Sequence, residues 1–321
     1  MKIARLILSL CLAALVAPPA FAQAFPTKPV KVFVGYSPGG AVDIVARTVG
    51  QKLSAGIGQP VIVENKPGAG TNIAVRALIE SPPDGYTLML SANALAANAS
   101  LYQPPPFDPE KDVAPVALVG RVPVVIATGT GSPYANLAAL VAAAKAAPGS
   151  INFATPGNGS TPHLAVELFA RAAGISLQHV PYRGGSQAII DVIGGQLPLV
   201  AVNALEVQAH VKTGKLRVLA VMSPTRTAIM PNVPTIAESG YPGFEASVWY
   251  GFIAPAATPK AVIARLHDEI QKAINSQEVR ERMTSVGGEV TPVTVEQFGA
   301  LIHSERVRYE KLIREAKLKP D

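Results

Sequence analysis

The sequence predicts an α/β protein of two lobes with mainly parallel sheets, joined by two crossing strands. Three observations carry this expectation. Short apolar runs of strand length alternate with stretches whose apolar residues recur at helical spacing, which is the signature of repeated strand–helix–strand units. The alternation comes in two sets, separated by apolar strands near residues 122–127 and 248–254. Finally, 321 residues at 49% hydrophobic composition exceed one usual domain and can fill two cores.

In order, Val30 to Val34 is a strand that runs into Ser37-Pro38-Gly39-Gly40, after which Val42, Val45, Ala46, Val49 and Leu53 mark a helix. Val61 to Val63 and Tyr86 to Leu90 are strands with a helix near Ile73 to Glu80 between them, so right-handed crossovers are expected. Pro104-Pro105-Pro106 reads as a surface turn. After the strand Val116 to Ala127 a second set begins. It comprises helix Leu137 to Ala146, strand Ile151 to Ala154, helix Leu164 to Ala173, strand Gln178 to Val180 and helix Gln187 to Ile193, and it closes with strands Leu199 to Val202 and Leu216 to Met222. Val248 to Pro255 is a strand ending at a proline, and two or three helices lie between Pro259 and Lys317. The chain therefore crosses between lobes near Val122 to Ala127 and returns near Val248 to Ala254. Residues 25–124 plus 252–321 form lobe 1 and residues 125–251 form lobe 2, with a cleft between them.

The segment ahead of lobe 1, residues 1–22, is a secretory signal. Lys2 and Arg5 precede the apolar run Leu6 to Val16, and Ala20-Phe21-Ala22 offers the small residues a signal peptidase reads, so cleavage is expected after Ala22 or after Ala24. No later stretch reaches the roughly 18 apolar residues of a membrane helix. Cys11, the one cysteine, leaves with the signal. That excludes disulfides, thiolate metal sites and cysteine nucleophiles from the mature chain. The net charge of +6 falls to +4 without Lys2 and Arg5. The basic stretch Arg306 to Lys319 is interleaved with Glu310 and Glu315 and preceded by Glu305, which reads as a solvated helix face. With 6% aromatic residues and no basic cluster among stacking rings, nucleic acid is not an expected partner.

Two loops carry the chemistry. Tyr36-Ser37-Pro38-Gly39-Gly40-Ala41 follows a strand and opens a helix, so free N–H groups and the positive helix end face outward, where an anion can bind without Arg or Lys. Asp43 in the first helical turn can cap remaining donors. Thr155-Pro156-Gly157-Asn158-Gly159-Ser160-Thr161-Pro162-His163 also joins a strand to a helix and is dense in glycine, hydroxyl and amide groups. With one such loop from each lobe, a carboxylate could be gripped from both sides. His163 has a second reading, a first-turn histidine bonded to its own loop. Asn93, Tyr182 and Asn203 complete the expected ligand-binding set. Trp249 and Tyr250 are core candidates on the crossing strand, where a tyrosine could also line the cleft.

Gly35-Tyr36-Ser37-Pro38-Gly39 matches the G-x-S-x-G elbow of serine hydrolases. The match fails on mechanism, because the oxyanion hole needs the N–H of the residue after the serine and Pro38 has none. His163, His179, His210, His267 and His303 are not spaced as ligand pairs, and no dinucleotide or Walker pattern is present, so neither a metal nor a cofactor is expected.

Across essentially the whole mature chain the sequence resembles the substrate-binding proteins of tripartite tricarboxylate transporters, the Bug family. The matching stretches are Tyr36-Ser37-Pro38-Gly39-Gly40 with Asp43-Ile44-Val45-Ala46-Arg47, Val63-Glu64-Asn65-Lys66-Pro67-Gly68-Ala69-Gly70, and Pro83-Asp84-Gly85-Tyr86-Thr87-Leu88. They continue through Asn152-Phe153, Gly157-Asn158-Gly159, His163-Leu164-Ala165, Val180-Pro181-Tyr182 and Gly214-Lys215-Leu216-Arg217. The resemblance implies a type II periplasmic binding protein fold; a monomer is expected. It also implies a carboxylate held between the Gly39 to Ala41 and Thr155 to Thr161 loops, and delivery to membrane permease subunits or, in some members, to a signalling receptor. Two departures bear on the ligand. Ala41 and Val42 stand where family members carry a hydroxyl residue or glycine. Val202 stands where an acid commonly precedes Asn203, which suggests a ligand without a charged amine, such as a dicarboxylate or an aromatic acid.

Overall fold

In the computed structural model, which describes residues 25–320 apart from residue 286, strand β1 (Val30–Val34) lies between β2 (Val61–Asn65) and β3 (Thr87–Ser91), parallel to both. The signal segment and its cleavage points lie outside the described residues. Parallel neighbours need crossovers, and the helices supply them. Helix α1 (Ala41–Ile57) buries Val42, Val45, Ala46, Val49 and Leu53, the stripe its spacing predicts, and stops at Gly58, whose φ of 68° is the left-handed cap glycine favours. Helix α2 (Asn72–Ile79) leads to β3, and α3 (Ala94–Leu101) follows it.

The long strand β4 (Val113–Gly129) belongs to two sheets. Up to Pro123 it pairs antiparallel with β9 (Ser247–Pro255), and from Val124 it pairs antiparallel with β7 (Leu199–Asn203) and β8 (Leu216–Val221). The first sheet runs β2-β1-β3-β9-β4, with β10 (Glu289–Val290) on the far side of β4. The second runs from β4 through β7 and β5 (Asn152–Thr155) to β6 (Gln178–Pro181), with β8 also on β4. Parallel pairing holds within β1–β3 and within β5–β7, and the crossing strands add antiparallel ladders at the junction. Met222 N–H donates to the Val124 carbonyl at 2.8 Å and Ala246 N–H to the Met222 carbonyl at 2.7 Å, so the two crossings lie side by side. The return is complete before Ser247, ahead of the expected Val248 to Ala254 stretch, because the whole of β9 already pairs in the first sheet.

Helices α4 (Leu137–Ala146), α5 (Thr161–Ala173), α6 (Gly185–Ile193) and α7 (Ala204–Lys212) belong to the second half of the fold. Then α8 (Lys260–Asn275), α9 (Gln277–Ser285) and α10 (Val295–Ala316) return to the first, where α8 packs on α1 and α10 on α3. Among the described residues no helix is long and apolar enough to cross a membrane. The largest buried cluster is continuous through the junction. It joins Val32, Val45 and Phe252 on one side to Phe153, Phe169 and Leu199 on the other, by way of Val122 and Val124.

Candidate ligand-binding site between the two sheets

The starts of α1, α5, α6 and α7 face one cavity. Tyr36, Gly40, Ala41 and Val42 line it from the first half, and Pro156, Ser160, Thr161 and Pro162 from the loop before α5. Gly185 comes from the start of α6, Asn203 and Glu206 from the start of α7, and Val248 and Tyr250 from β9. Free backbone N–H groups and positive helix ends thus converge on a small space. The cavity encloses about 20 Å³, room for one water molecule. An outer groove of about 470 Å³ shares Tyr36 and Pro156 with it and is lined further by Gly157, Asn158, Tyr182 and the Gly68 to Thr71 turn.

Unpartnered polar atoms mark the inner cavity. Thr161 Oγ1, Asn203 Oδ1, Glu206 Oε2 and Tyr250 Oη are sealed from solvent, have no hydrogen-bond partner, and all line this one space. Each such atom costs about 1–3 kcal/mol if left unmade, so their convergence calls for a polar guest.

Several expected site residues serve the frame around the cavity instead. Asp43 is buried and takes the Gly39 N–H at 3.0 Å, Asn65 Nδ2 at 2.9 Å and an ion pair with Arg47 at 2.9 Å. Burial would raise its carboxyl, but the Arg47, Gly39 and Asn65 hydrogen bonds and the Arg47 charge hold it below the ordinary carboxylate range. Ser37 gives both its N–H and its hydroxyl to the Arg183 carbonyl at 3.0 Å each, tying the first loop to the strand end after β6. Pro38 and Gly39 line neither space. Asn93 is 1% exposed and fully engaged. Its Oδ1 accepts Trp249 N–H at 3.0 Å, and its Nδ2 donates to Glu305 Oε2 and Tyr309 Oη at 2.9 Å each. Thr155 Oγ1 pairs with His179 Nε2 at 2.6 Å and accepts Gly157 N–H at 3.2 Å.

His163 turns into the loop. Its Nδ1 accepts Gly159 N–H at 3.3 Å and its ring stacks on His179 with centroids 3.9 Å apart, while Ser160 caps α5 by accepting His163 N–H. Burial lowers His179 to about 4, which keeps that ring neutral. Trp249 packs edge-on against Phe298, whereas its neighbour Tyr250 lines the cavity, as alternation along a strand requires.

Val202 is fully buried among Val125, Val200 and Ala188, so it does not face the cleft and its identity says nothing about the ligand. Glu206, which the sequence reading passed over, supplies an acid instead. Its Oε1 accepts the Asn203 N–H at 3.3 Å and Asn203 Nδ2 at 2.9 Å, and Ala41 N–H also bonds to this carboxyl. Burial raises the Glu206 carboxyl, against the lowering effect of these hydrogen bonds. Burial, and after it the nearby Glu206 charge, push up the phenols of Tyr36 and Tyr250, so both stay protonated. The signal for Glu206 was its spacing, since the third residue of a helix reaches back over the N-cap.

A model of the tripartite tricarboxylate transporter family receptor matches residues 45–318. Protein BugT of Bordetella pertussis is 38% identical over 308 residues, covering 95% of this chain and 94% of that protein. Among solved structures, an R. palustris protein with adipate superposes with a TM-score of 0.88 at 29% identity, covering 92% of this chain and 100% of that one. MatC from Rhodopseudomonas palustris, with bound malate, gives 0.86 at 28% identity, covering 90% and 100%. The fold, its paired glycine-rich loops and these likenesses along nearly the whole length agree: the chain belongs to the tripartite tricarboxylate transporter receptor family.

Proposed function

We propose that the protein captures a small carboxylate in the cleft between its two sheets and hands it to the membrane subunits of a tripartite tricarboxylate transporter, acting in the periplasm as a monomer. Proteins of this family are periplasmic receptors. The observation that carries the reading is the convergence of helix starts and four sealed, unpartnered polar atoms on one cavity. A carboxylate there meets N–H groups and hydroxyls rather than a bulk cation, a mode of binding that helix N-termini favour. The adipate and malate in the two R. palustris structures are ligands of that class. The site comprises Tyr36, Gly40, Ala41, Ser160, Thr161 and Asn203, with Gly157, Asn158 and Tyr182 at its mouth. Lobe 1 ends at Pro123, one residue short of the expected 124, and resumes at Ser247 rather than at 252, because β4 pairs in the first sheet up to Pro123 and β9 pairs there along its whole length.

A binding role rather than hydrolysis is supported by Ser37, whose hydroxyl is given to the Arg183 carbonyl, and by Pro38, which has no N–H to offer an oxyanion. A thermal-shift screen of unfolded and refolded mature protein tests the reading against mono-, di- and tricarboxylates, amino acids and aromatic acids. Ligand at about 100 times its Kd adds about 2.7 kcal/mol, a shift of several degrees at this size. A shift with one class of acid supports the proposal; no shift with any acid overturns it.

A further inference from the structure

Resting on the reading that the cavity holds a carboxylate, we infer that Glu206 makes the site one for a carboxylate that also carries a protonated amine, with the ammonium seated on Glu206 Oε2 and Asn203 Oδ1. One oxygen of Glu206 has a structural task, since Oε1 holds Asn203 at the start of α7. The other has no side-chain partner: Oε2 is sealed from solvent, with the Ala41 N–H as the one backbone donor given to this carboxyl beyond Asn203, and the Oδ1 of Asn203, a residue only 5% exposed, is sealed too. Tyr250 lies beside Asn203, and its Oη is sealed from solvent as well. The cavity therefore holds two acceptors side by side, with hydroxyls of Thr161 and Tyr250 elsewhere on its wall.

Acceptors demand a donor, and an ammonium group offers three. Charge points the same way. The cavity lining contains no Lys, Arg or His, so nothing offsets the Glu206 carboxylate except helix ends and backbone N–H groups. A plain carboxylate ligand would place a second negative charge beside it and a dicarboxylate a third. An amine on the ligand converts that repulsion into a paired, hydrogen-bonded contact, a form in which buried charge is well tolerated. The elements packed around Glu206 bring Gly40 and Ala41, Gly185, Asn203, Tyr36 and Tyr250. The only other titratable groups among these are the two phenols, and both stay neutral. Val202, the position whose lack of an acid argued for an amine-free ligand, lies in the core and has no bearing on the cleft.

Isothermal titration at pH 7.5 with pairs that differ only in the amine tests this: alanine with propionate, aspartate with succinate, 4-aminobutyrate with butyrate. The amine member of the binding pair is expected to bind at least tenfold tighter. Glu206→Gln keeps an oxygen for Asn203 and should melt near the wild-type temperature, yet it should weaken the amine ligand about a hundredfold while strengthening its desamino counterpart, whose repulsion from the carboxylate is removed. Lowering the pH should weaken the amine ligand, because burial already raises the Glu206 carboxyl and a proton there removes the anion. Equal or tighter binding of the desamino acid overturns the inference. So does an amine preference that survives Glu206→Gln. If neither member of any pair binds, and no other acid does, it is the carboxylate reading itself that fails.

Discussion

Asn93 shows how one side chain can look like a ligand group and be a girder. Its amide joins the start of α3 to Trp249 on β9 and to Tyr309 and Glu305 on α10, and it lines neither the cavity nor the groove. Asn93→Ala should therefore cost about 2–3 kcal/mol, because Trp249 N–H is left buried without a partner. Calorimetry should show a melting temperature lower by several degrees, with ligand affinity within twofold of wild type. His179 gives a pH signature. Burial takes it from 6.5 to about 4 in the folded chain, so the unfolded chain binds the extra proton across that window. Its contribution, of the order of 3 kcal/mol, is full above about pH 6.5 and is lost as the pH falls toward 4. A His179→Gln variant should lose less stability between pH 7 and pH 4.5 than the wild type does. The glycine-rich loops were legible in the sequence because glycine, proline and hydroxyl residues in a row have few other uses. Which of their side chains point inward was not legible, since Asp43, Thr155 and His163 are types that serve a frame as readily as a ligand.

At the scale of elements, the strands and amphipathic helices followed from period alone, and each miss has its own physical cause. Helix α3 is buried on nearly every side, from Ala94 through Asn98 to Leu101, so it has no polar face to set off an apolar stripe. Helix α7 starts directly from β7, without a turn signal between Asn203 and Ala204, and β10 is two residues long. Loop contacts across the cleft are set by close approach. A Cβ added to Gly184 would lie 3.1 Å from Ser37 Cβ, on a backbone extended enough to accept any residue. Gly184→Ala should therefore hold the loops apart rather than strain its own chain. It should weaken ligand binding about tenfold while shifting the melting temperature by less than 2 °C, and equal affinity would mean that this contact does not gate the site.

Over the whole molecule, the two-sheet plan was legible because β4 and β9 are long apolar strands placed between two alternating sets. The exact point of return was not, because a strand's sequence does not say which sheet it pairs with. The inner cavity has room for one water molecule, so a carboxylate enters only if the halves part, and closing on it is a hinge motion about the two crossings. Small-angle scattering should show a smaller radius of gyration with saturating ligand than without; an unchanged radius would count against closure. The register that sets Pro123 opposite Ser247 has an architectural consequence. Everything between those two residues is an insert whose ends touch, and every ladder of the first sheet survives its removal. Genetically, the second half is a cassette: a short turn from Pro123 to Ser247 would close the gap as a hairpin, and a related cassette could be grafted at the same seam. Such a graft should carry the donor's half of the cleft with it, so the ligand preference of the hybrid would follow whichever cassette brings the acid at the start of α7.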